Sequence, residues 1–568
     1  MPNIICDKMS FIVKKNVKGN YYYYLNENKR VGGKVKTKTI AYLGKNKKDA
    51  EKKAKEIVEK MQPNKLGNKK EDIKISEVKE ESMNKEPTEI SIEELTAFCK
   101  RKGFVYQSGE IYGGLAGFWD FGNLGTEFKN NLKKEWWKYH VSQRNDIVGI
   151  DGSIITNPKV WEASGHTENF IDVAVVNKKT KEKFKVDKFE AEKYKNNPNF
   201  EVKGEFNPMF VTNVGPITSD SIKSYLRPET AQLIFVNFKS VYENARLKLP
   251  CGIAQIGKSF RNEIAPRDFL FRSREFEQME MEYFIRKDMI CPYNIPDEEV
   301  LVYSAENQEK NQDPVNMRIK EAFKQGIIKK DWHAYWLATE IKWFKSLWAN
   351  PSNFRIRQHL KKELSHYSSD TWDLEYKFPF GWRELEGVAD RGNFDLSQHE
   401  KFSGKDLGIF DEEKKERIVP EVICEPSLGV ERAFMVFMLD SYYYDKRREN
   451  VVLRLHPKLS PIKAAVFPIV KGPKFEKIAE KIVEDLRSEF NIIYDKSGSI
   501  GRRYARNDEV GTPFCITIDG DSIKNKDVTI RDRDTKKQIR VKIEDLRDTL
   551  RKLIEDQIKF EKAGELFS

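Results

Sequence analysis

At 568 residues the chain is too long for a single hydrophobic core and implies a few domains. An apolar fraction of 39% with 12% aromatics excludes a wholly disordered chain; no apolar run is long enough to span a bilayer and no signal peptide opens the sequence, so a cytoplasmic protein without membrane segments is expected. The formal net charge of +12, with pI near 9.0, favours a polyanionic partner, nucleic acid being the simplest, while the 89 Asp and Glu keep a plain lysine-rich bias in view.

Six scattered cysteines, without close pairs, argue for reduced thiols and against a zinc cluster or a disulfide framework. Residues 1–61 read as a small basic β-β-α module: Phe11 to Leu25 and Val35 to Leu43 flank Gly32-Gly33 as a hairpin, and Asp49 to Lys60 has helical spacing. With Tyr21 to Tyr24 exposed, such a module would bind RNA; with the tyrosines packed, the lysines would merely solvate it. Residues 62–90 are Lys/Glu-rich and read as a linker. Ser91 with Glu94 opens a short helix to Lys102 as a capping box.

A glycine- and aromatic-rich stretch, Gly113 to Gly125, leads into a helix over Thr126 to Tyr139, then a strand over Ile147 to Thr156 that stops at Pro158. In Phe260 to Phe284 the period is two. Arg261 and Glu263 share a face; so do Arg272, Arg274, Phe276, Gln278, Glu280 and Glu282, with Met279, Met281 and Tyr283 opposite, and Pro266-Arg267-Asp268 as the loop. A charged sheet face under a loop suits a polyanion with a planar ring; an amphipathic hairpin with a solvated outer face fits the same pattern. Pro292 to Ser352 reads as a helical insertion that interrupts the sheet, within about 286–352. Strands follow over Tyr376 to Asp395 and Val422 to Cys424, then a helix over Gly429 to Leu439. From His456 the β and α elements alternate as in a compact α/β domain. In it Tyr504 to Asp508 reads as a polar turn, Ile543 to Lys562 as a closing helix, and Lys496, Arg502, Arg503 and Arg506 as candidate phosphate contacts or ordinary surface charge.

Phe260-Arg261-Asn262-Glu263 with Arg272 to Phe276 resembles motif 2 of the class II aminoacyl-tRNA synthetases, Glu425 to Arg432 resembles motif 3, and Thr126 to Pro158 fits motif 1. Within that class the chain resembles the glycyl-tRNA synthetase family from about residue 92 onward. The matching segments are Asn157 to His166, Leu226 to Gln232, Glu277 to Glu280, Glu363 to Ser368, Glu384 to Gly387, Glu425 to Gly429 and Gly511 to Pro513. The resemblance implies an α+β chain: a class II antiparallel-sheet catalytic domain over 91–455, an anticodon-binding α/β domain over 456–568, and a homodimer through the motif 1 helix and strand.

It also implies a substrate set of glycine, tRNA(Gly) and ATP with Mg²⁺. Arg261 would hold the α-phosphate, Arg272 and Arg432 the γ-phosphate of a bent ATP, and Phe276 would stack on adenine under Arg432, with Glu263 accepting from its amino group. Asn262, Phe271, Arg274, Glu275, Leu385 and Gly429 would complete the nucleotide site, and Glu384 and Glu425 would hold Mg²⁺. Glu229, Glu280 and Ser427 would surround the glycine ammonium and Cα, Arg391 would face the carboxylate, and Phe276, Gln278, Glu425 and Gly429 would flank them. Lys185 stands where related bacterial sequences carry Arg, which leaves its substrate role open, and the cysteine cluster of some relatives has no counterpart, so no structural zinc is expected. The alternatives are another class IIa synthetase and a synthetase-like RNA-binding regulator that has lost the chemistry.

Overall fold

A computed structural model describes residues 10–17, 20–31, 34–44, 53, 87–187, 191–365 and 368–567. The chain forms two compact units, Met1–Val78 and Lys79–Ser568.

The first unit contains an antiparallel sheet of three sequential strands, Ser10–Val17, Asn20–Val31 and Lys34–Gly44. The strands flanking Gly32-Gly33 pair as expected, but Phe11 to Leu25 is divided between two strands, so the sheet has one strand more than the reading allowed. The helix expected over Asp49 to Lys60 lies outside the described residues except at Lys53, as does most of the 62–90 linker.

The second unit is built on a nine-stranded sheet. Its order is Val315–Arg318, Glu299–Tyr303, Phe354–Gln358, Asp370–Phe378, Gly381–Asp390, Glu421–Gly429, Glu275–Ile285, Cys251–Phe260 and Ile147–Gly149. Every neighbouring pair is antiparallel except the edge strand Ile147–Gly149 on Cys251–Phe260 and Glu299–Tyr303 on Phe354–Gln358. The period-two pattern holds along Glu275–Ile285. Met279, Met281 and Tyr283 join the core formed with the helices Asn123–Trp137, Asp331–Ser346 and Val430–Ser441, whereas Phe276, Gln278 and Glu280 line a cavity on the opposite face. Asp331–Ser346 is buried nearly all round, and its aromatic and aliphatic residues sit in the core.

Four local expectations need correction. The 286–352 segment does not interrupt the sheet: its strands Glu299–Tyr303 and Val315–Arg318 extend it, and its long helix backs it. The motif 1 strand is two short strands, Ile147–Gly149 and Ile155–Thr156, in different sheets, because the chain turns in between, where Gly152 packs on Leu233 and donates its N–H to Gln255. The helix before it, Asn123–Trp137, ends in a π-turn over Lys138–Ser142. Arg261 and Glu263 lie beyond the strand end at Phe260, and Arg272 and Arg274 precede Glu275; residues 261–274 form the hairpin loop, closed by a bridge between Arg267 and Arg272.

After Leu459 the chain builds a separate core on a six-stranded sheet, ordered Ile492–Tyr494, Ala464–Pro468, Phe514–Ile518, Asp527–Asp532, Gln538–Lys542 and Glu565–Leu566. The polar stretch 504–508 belongs to a helix, Ile500–Glu509, and the closing helix is the shorter Leu546–Ile554. Arg503 is buried, donating to the Pro468 carbonyl at 2.7 Å; Lys496 pairs with Glu476 and Arg506 with Asp495, so Arg502 alone of the four stands exposed without a charge partner among the described residues. Among the described residues no helix is long and apolar enough to cross a membrane.

Gly125, in the first turn of the Asn123–Trp137 helix, rests against the backbone so closely that a Cβ would lie 1.8 Å from the Phe104 carbonyl oxygen. Gly125→Ala must push that helix outward, at a cost of about 1–3 kcal/mol or more. The thermal unfolding midpoint is expected to fall, with glycine- and ATP-independent spectroscopic readouts moving together.

Candidate active site

Four strands set the floor of the site. Pairing places Glu280 opposite both Gln255 and Ser427, and Ser427 opposite Gly387; one row along, Gln278 stands opposite Gly429. Above this floor opens a cavity of about 730 Å³.

One end of it is acidic. Glu280 accepts hydrogen bonds from Thr230 Oγ1 and, at 2.7 Å, from Ser427 Oγ, which itself accepts from Gln278 Nε2 at 3.2 Å. Glu229 is held by His166 Nε2 at 3.2 Å and Gln232 Nε2 at 3.1 Å. Glu425 receives Arg391 Nη1 at 2.8 Å, and the rest of that guanidinium is forked onto Asp395 at 2.7 and 2.9 Å. Glu282 lies under these groups, fully buried and with no hydrogen-bond partner for either carboxyl oxygen among the described residues. Oxygens of Glu280, Glu282 and Glu425 come within 4.8 Å of one another. Burial and mutual repulsion set their titration. Burial, then the charge of Glu229, raises Glu280; burial pushes Glu425 up to about 8 against the pull of Arg391; burial and the Glu425 charge hold Glu282 far above the carboxylate range. At Glu229 burial is outweighed by the charge and hydrogen bond of His166, with Arg391 and Arg261, so this group stays ionised. Four carboxyls facing one guanidinium and one imidazole make a pocket that gains from an added cation.

The other end is cationic. Arg261 donates from Nε to the Pro228 carbonyl at 3.0 Å, and its guanidinium lies 5.6 and 5.5 Å from the Phe170 and Phe276 ring centres. Arg432, from the first turn of Val430–Ser441, covers Phe271 at 4.5 Å and donates to the Glu384 carbonyl and carboxylate at 2.9 and 3.1 Å. Arg272 and Lys185 line the same space, Lys185 paired with Asp172 at 2.7 Å and 3.6 Å from Glu263. The hairpin loop is anchored from below: Arg274 donates to the Glu263 and Ala116 carbonyls, each at 2.9 Å, and its own N–H to Gly117, where any Cβ would strike Pro266.

Of the residues expected at the site, Lys185, Glu229, Arg261, Glu263, Phe271, Arg272, Phe276, Gln278, Glu280, Glu384, Glu425, Ser427, Gly429 and Arg432 line one cavity. Asn262, Arg274, Glu275, Leu385 and Arg391 do not. Arg274 braces the loop, Glu275 pairs with Lys258, Leu385 points into the core, and Arg391, almost fully buried over Phe235, acts on the cavity through Glu425. The sequence reading gave no role to His166, Thr230, Gln232, His359 or Asp373. His166, Thr230 and Gln232 fall inside the segments quoted for the resemblance, and that was their only signal. His359 and Asp373, joined at 2.7 Å, had none.

An antiparallel sheet that presents a polyanion-binding face, with a motif 2 hairpin and a motif 3 helix converging on it, defines the catalytic fold of a class II aminoacyl-tRNA synthetase. Comparison with known proteins agrees. Residues 463–553 match the anticodon binding domain family. Glycine–tRNA ligases from Borrelia hermsii (42% identical over 467 residues, 80% of this chain and 96% of the relative), Thermobifida fusca (42% over 489 residues, 81% and 97%) and Corynebacterium glutamicum (41% over 489 residues, 81% and 97%) are similar across most of the chain. The chain belongs to the glycine–tRNA ligase family. Residues 12–72 match a different family model, the N-terminal domain of IS1634 family transposases.

His399 closes the relay behind Glu229: its Nε2–H donates to Gln232 Oε1 at 2.8 Å, and Gln232 Nε2 donates to Glu229 and Asp395. Burial lowers its pKa from 6.5 to about 4. The unfolded chain therefore takes up a proton at His399 before the folded one does, and folding loses up to about 1.4 kcal/mol per pH unit as pH falls from 6.5 towards 4. In His399→Gln that contribution disappears. The decline of the thermal midpoint with acidification is expected to be shallower than in the parent over the same range.

Proposed function

We propose that this protein is a glycine–tRNA ligase that activates glycine with ATP and passes the glycyl group to the 3′ end of tRNA(Gly). The observation that carries this reading is the polarity of one cavity, with crowded carboxyls at one end and Arg261, Arg272 and Arg432 at the other.

Glycine binds with its ammonium among Glu229, Glu280 and Ser427, with Glu425 and Arg391 behind them. A β-carbon would have to enter the hydrogen-bonded cluster of Thr230, Glu280, Ser427 and Gln278, whose members hold one another in place. A rigid polar wall rejects more strongly than a missing methylene, which discriminates by only ~1–3 kcal/mol. A carboxylate oxygen of glycine attacks the α-phosphorus, which Arg261 holds; the α–β phosphoanhydride bond breaks and pyrophosphate leaves with its charge held by Arg272 and Arg432. Adenine lies on Phe276 with its amino group toward Glu263. Positioning and charge stabilisation do the work, and no protein group need exchange a proton. Glu384, whose side chain is about half exposed at 52%, suits Mg²⁺ carried in on the phosphates, which would neutralise the charge developing on them. Glu425 suits the ammonium better, since Arg391 and two carboxyls already surround it. In the second step the terminal hydroxyl of tRNA attacks the glycyl carbonyl and AMP leaves.

We assign activation to residues 91–455 and tRNA binding to 456–568, and we propose a homodimer through 126–158. Supporting the dimer, Ile147–Gly149 is a sheet edge, and the small sheet containing Ile155–Thr156 carries exposed Ile155, Val211, Val214 and Ile222.

Glycine-dependent exchange of pyrophosphate into ATP tests the reading. Glycine alone of the amino acids is expected to drive it, and Arg261→Ala should lower it by roughly 10²–10³-fold while tRNA binding is retained. Exchange driven by alanine, serine or threonine in place of glycine, or no exchange at all, would overturn it.

A further inference from the structure

The net positive charge of this chain is not where the ligase is. Residues 1–61 carry sixteen Lys and Arg against six Asp and Glu, a net +10, whereas residues 62–568 carry 85 against 83, a net +2. A tenth of the chain holds nearly all of its +12.

Strand pairing sorts this charge onto one face. Leu25, paired with Ile12 and Ala41, lies on the same face of the central strand Asn20–Val31 as the alternating Tyr23, Glu27, Lys29 and Val31. Their partners across the ladder are Lys14 on one side and Lys38, Lys36 and Lys34 on the other. Five lysines thus occupy register positions of a single face, with Glu27 the one acidic residue among them. The third strand repeats the pattern in its sequence, Lys34, Lys36 and Lys38 alternating with Val35 and Thr37. Lys29 and Lys36 are register partners, and like charges directly opposite destabilise a sheet unless an anion on that face offsets them. Tyr21 and Tyr23 hold register positions of the same face. The family model matched over residues 12–72 is the N-terminal domain of IS1634 family transposases.

We propose that the sheet of residues 10–44 is a second nucleic-acid-binding element, which grips the sugar–phosphate backbone of tRNA without regard to sequence through Lys14, Lys29, Lys34, Lys36 and Lys38. The choice of tRNA as its ligand rests on the ligase reading above; the phosphate chemistry does not.

The test uses the full chain, titrated with tRNA and, separately, with a DNA duplex of similar phosphate count, across a range of salt. Replacing the five lysines by glutamine is expected to weaken tRNA binding at least tenfold at about 50 mM salt and to lower the slope of log affinity on log salt by roughly 3.5–4.5, at about 0.7–0.9 per lost phosphate contact. Because a loss can come from misfolding, Glu27→Gln is the second arm: it is expected to tighten tRNA binding and steepen the slope, which a damaged sheet would not do. Glycine-dependent pyrophosphate exchange, which needs no tRNA, should be unchanged in both variants. Unaltered tRNA affinity and slope in both would overturn the proposal, and effects confined to the DNA duplex would overturn the assignment to tRNA. Failure of the parent chain to exchange pyrophosphate would remove the ligase reading and leave the phosphate-binding result to be judged on its own.

Discussion

Glu280 stands between Gln255 and Ser427 because three antiparallel strands hold one register, and a one-residue slip of Glu275–Ile285 would turn Glu280 into the core and Met279 and Met281 out to the cavity. With strands ~4.8 Å apart, the same register that buries the apolar residues brings the Ser427 hydroxyl within hydrogen-bond reach of Glu280. Carboxyl groups buried at such spacing are unfavourable for folding. The surroundings offset this partly: Arg391 and Asp395 behind Glu425, Thr230 and Ser427 on Glu280, His166 and the Gln232 relay on Glu229. What stays uncompensated, with Glu282 bare beneath, is the part that the proposed glycine ammonium would complete. Tight register and incomplete charge balance are thus one device seen from the stability side and from the binding side.

A second constraint ties the motifs together. Lys129, on the helix Asn123–Trp137, lies 2.8 Å from Glu277 and 3.2 Å from Glu431, and Glu431 also accepts the Glu277 N–H at 2.8 Å; Lys133 adds a contact to Glu277. Burial lowers the ammonium pKa, and the charges of Glu431 and Glu277 outweigh it, so Lys129 remains a cation under the Phe121 ring. Breaking a buried pair by removing one partner typically costs ~3–5 kcal/mol, more than replacing all of its members together. The Asn123–Trp137 helix, the hairpin strand and the helix that carries Arg432 are therefore coupled through one buried ion-pair cluster.

The sequence made some of this legible because side-chain period alone determines it. The two faces of Glu275–Ile285 follow from alternation, and the sites of Arg261, Arg272 and Arg432 from motifs that keep their chemistry in sequence order. Other parts were hidden for identifiable reasons. Val300 and Val302 alternate over too few residues to compete with the long apolar helix at Asp331–Ser346, so two sheet strands were absorbed into a helical insertion. Ile500–Glu509 is a helix whose polar residues turn inward, Arg503, Asn507 and Asp508 all buried, so a polar run was taken for a surface turn. The resemblance sets Arg391 against the substrate carboxylate; the structure packs it against Asp395 and Phe235 and hydrogen-bonds it to Glu425. His359 and Asp373 meet through the fold alone.

Charge bookkeeping over a whole chain hides a further distinction. A net +12 invites the inference that the tRNA-binding body of the enzyme is basic, yet beyond residue 61 the two signs nearly cancel, and in the C-terminal domain many of the cations are committed to neighbours: Arg531 to Asp508, Arg540 to Asp519 and Asp527, Arg533 to Asp534. At physiological ionic strength a charge is screened beyond about 8 Å, so a basic module cannot attract a polyanion from afar on behalf of a neutral body; it acts on the phosphates it touches. If the sheet of residues 10–44 binds phosphates as proposed, the salt-dependent share of tRNA affinity would fall to it, and recognition by the remaining residues would rest on local shape and individual hydrogen bonds.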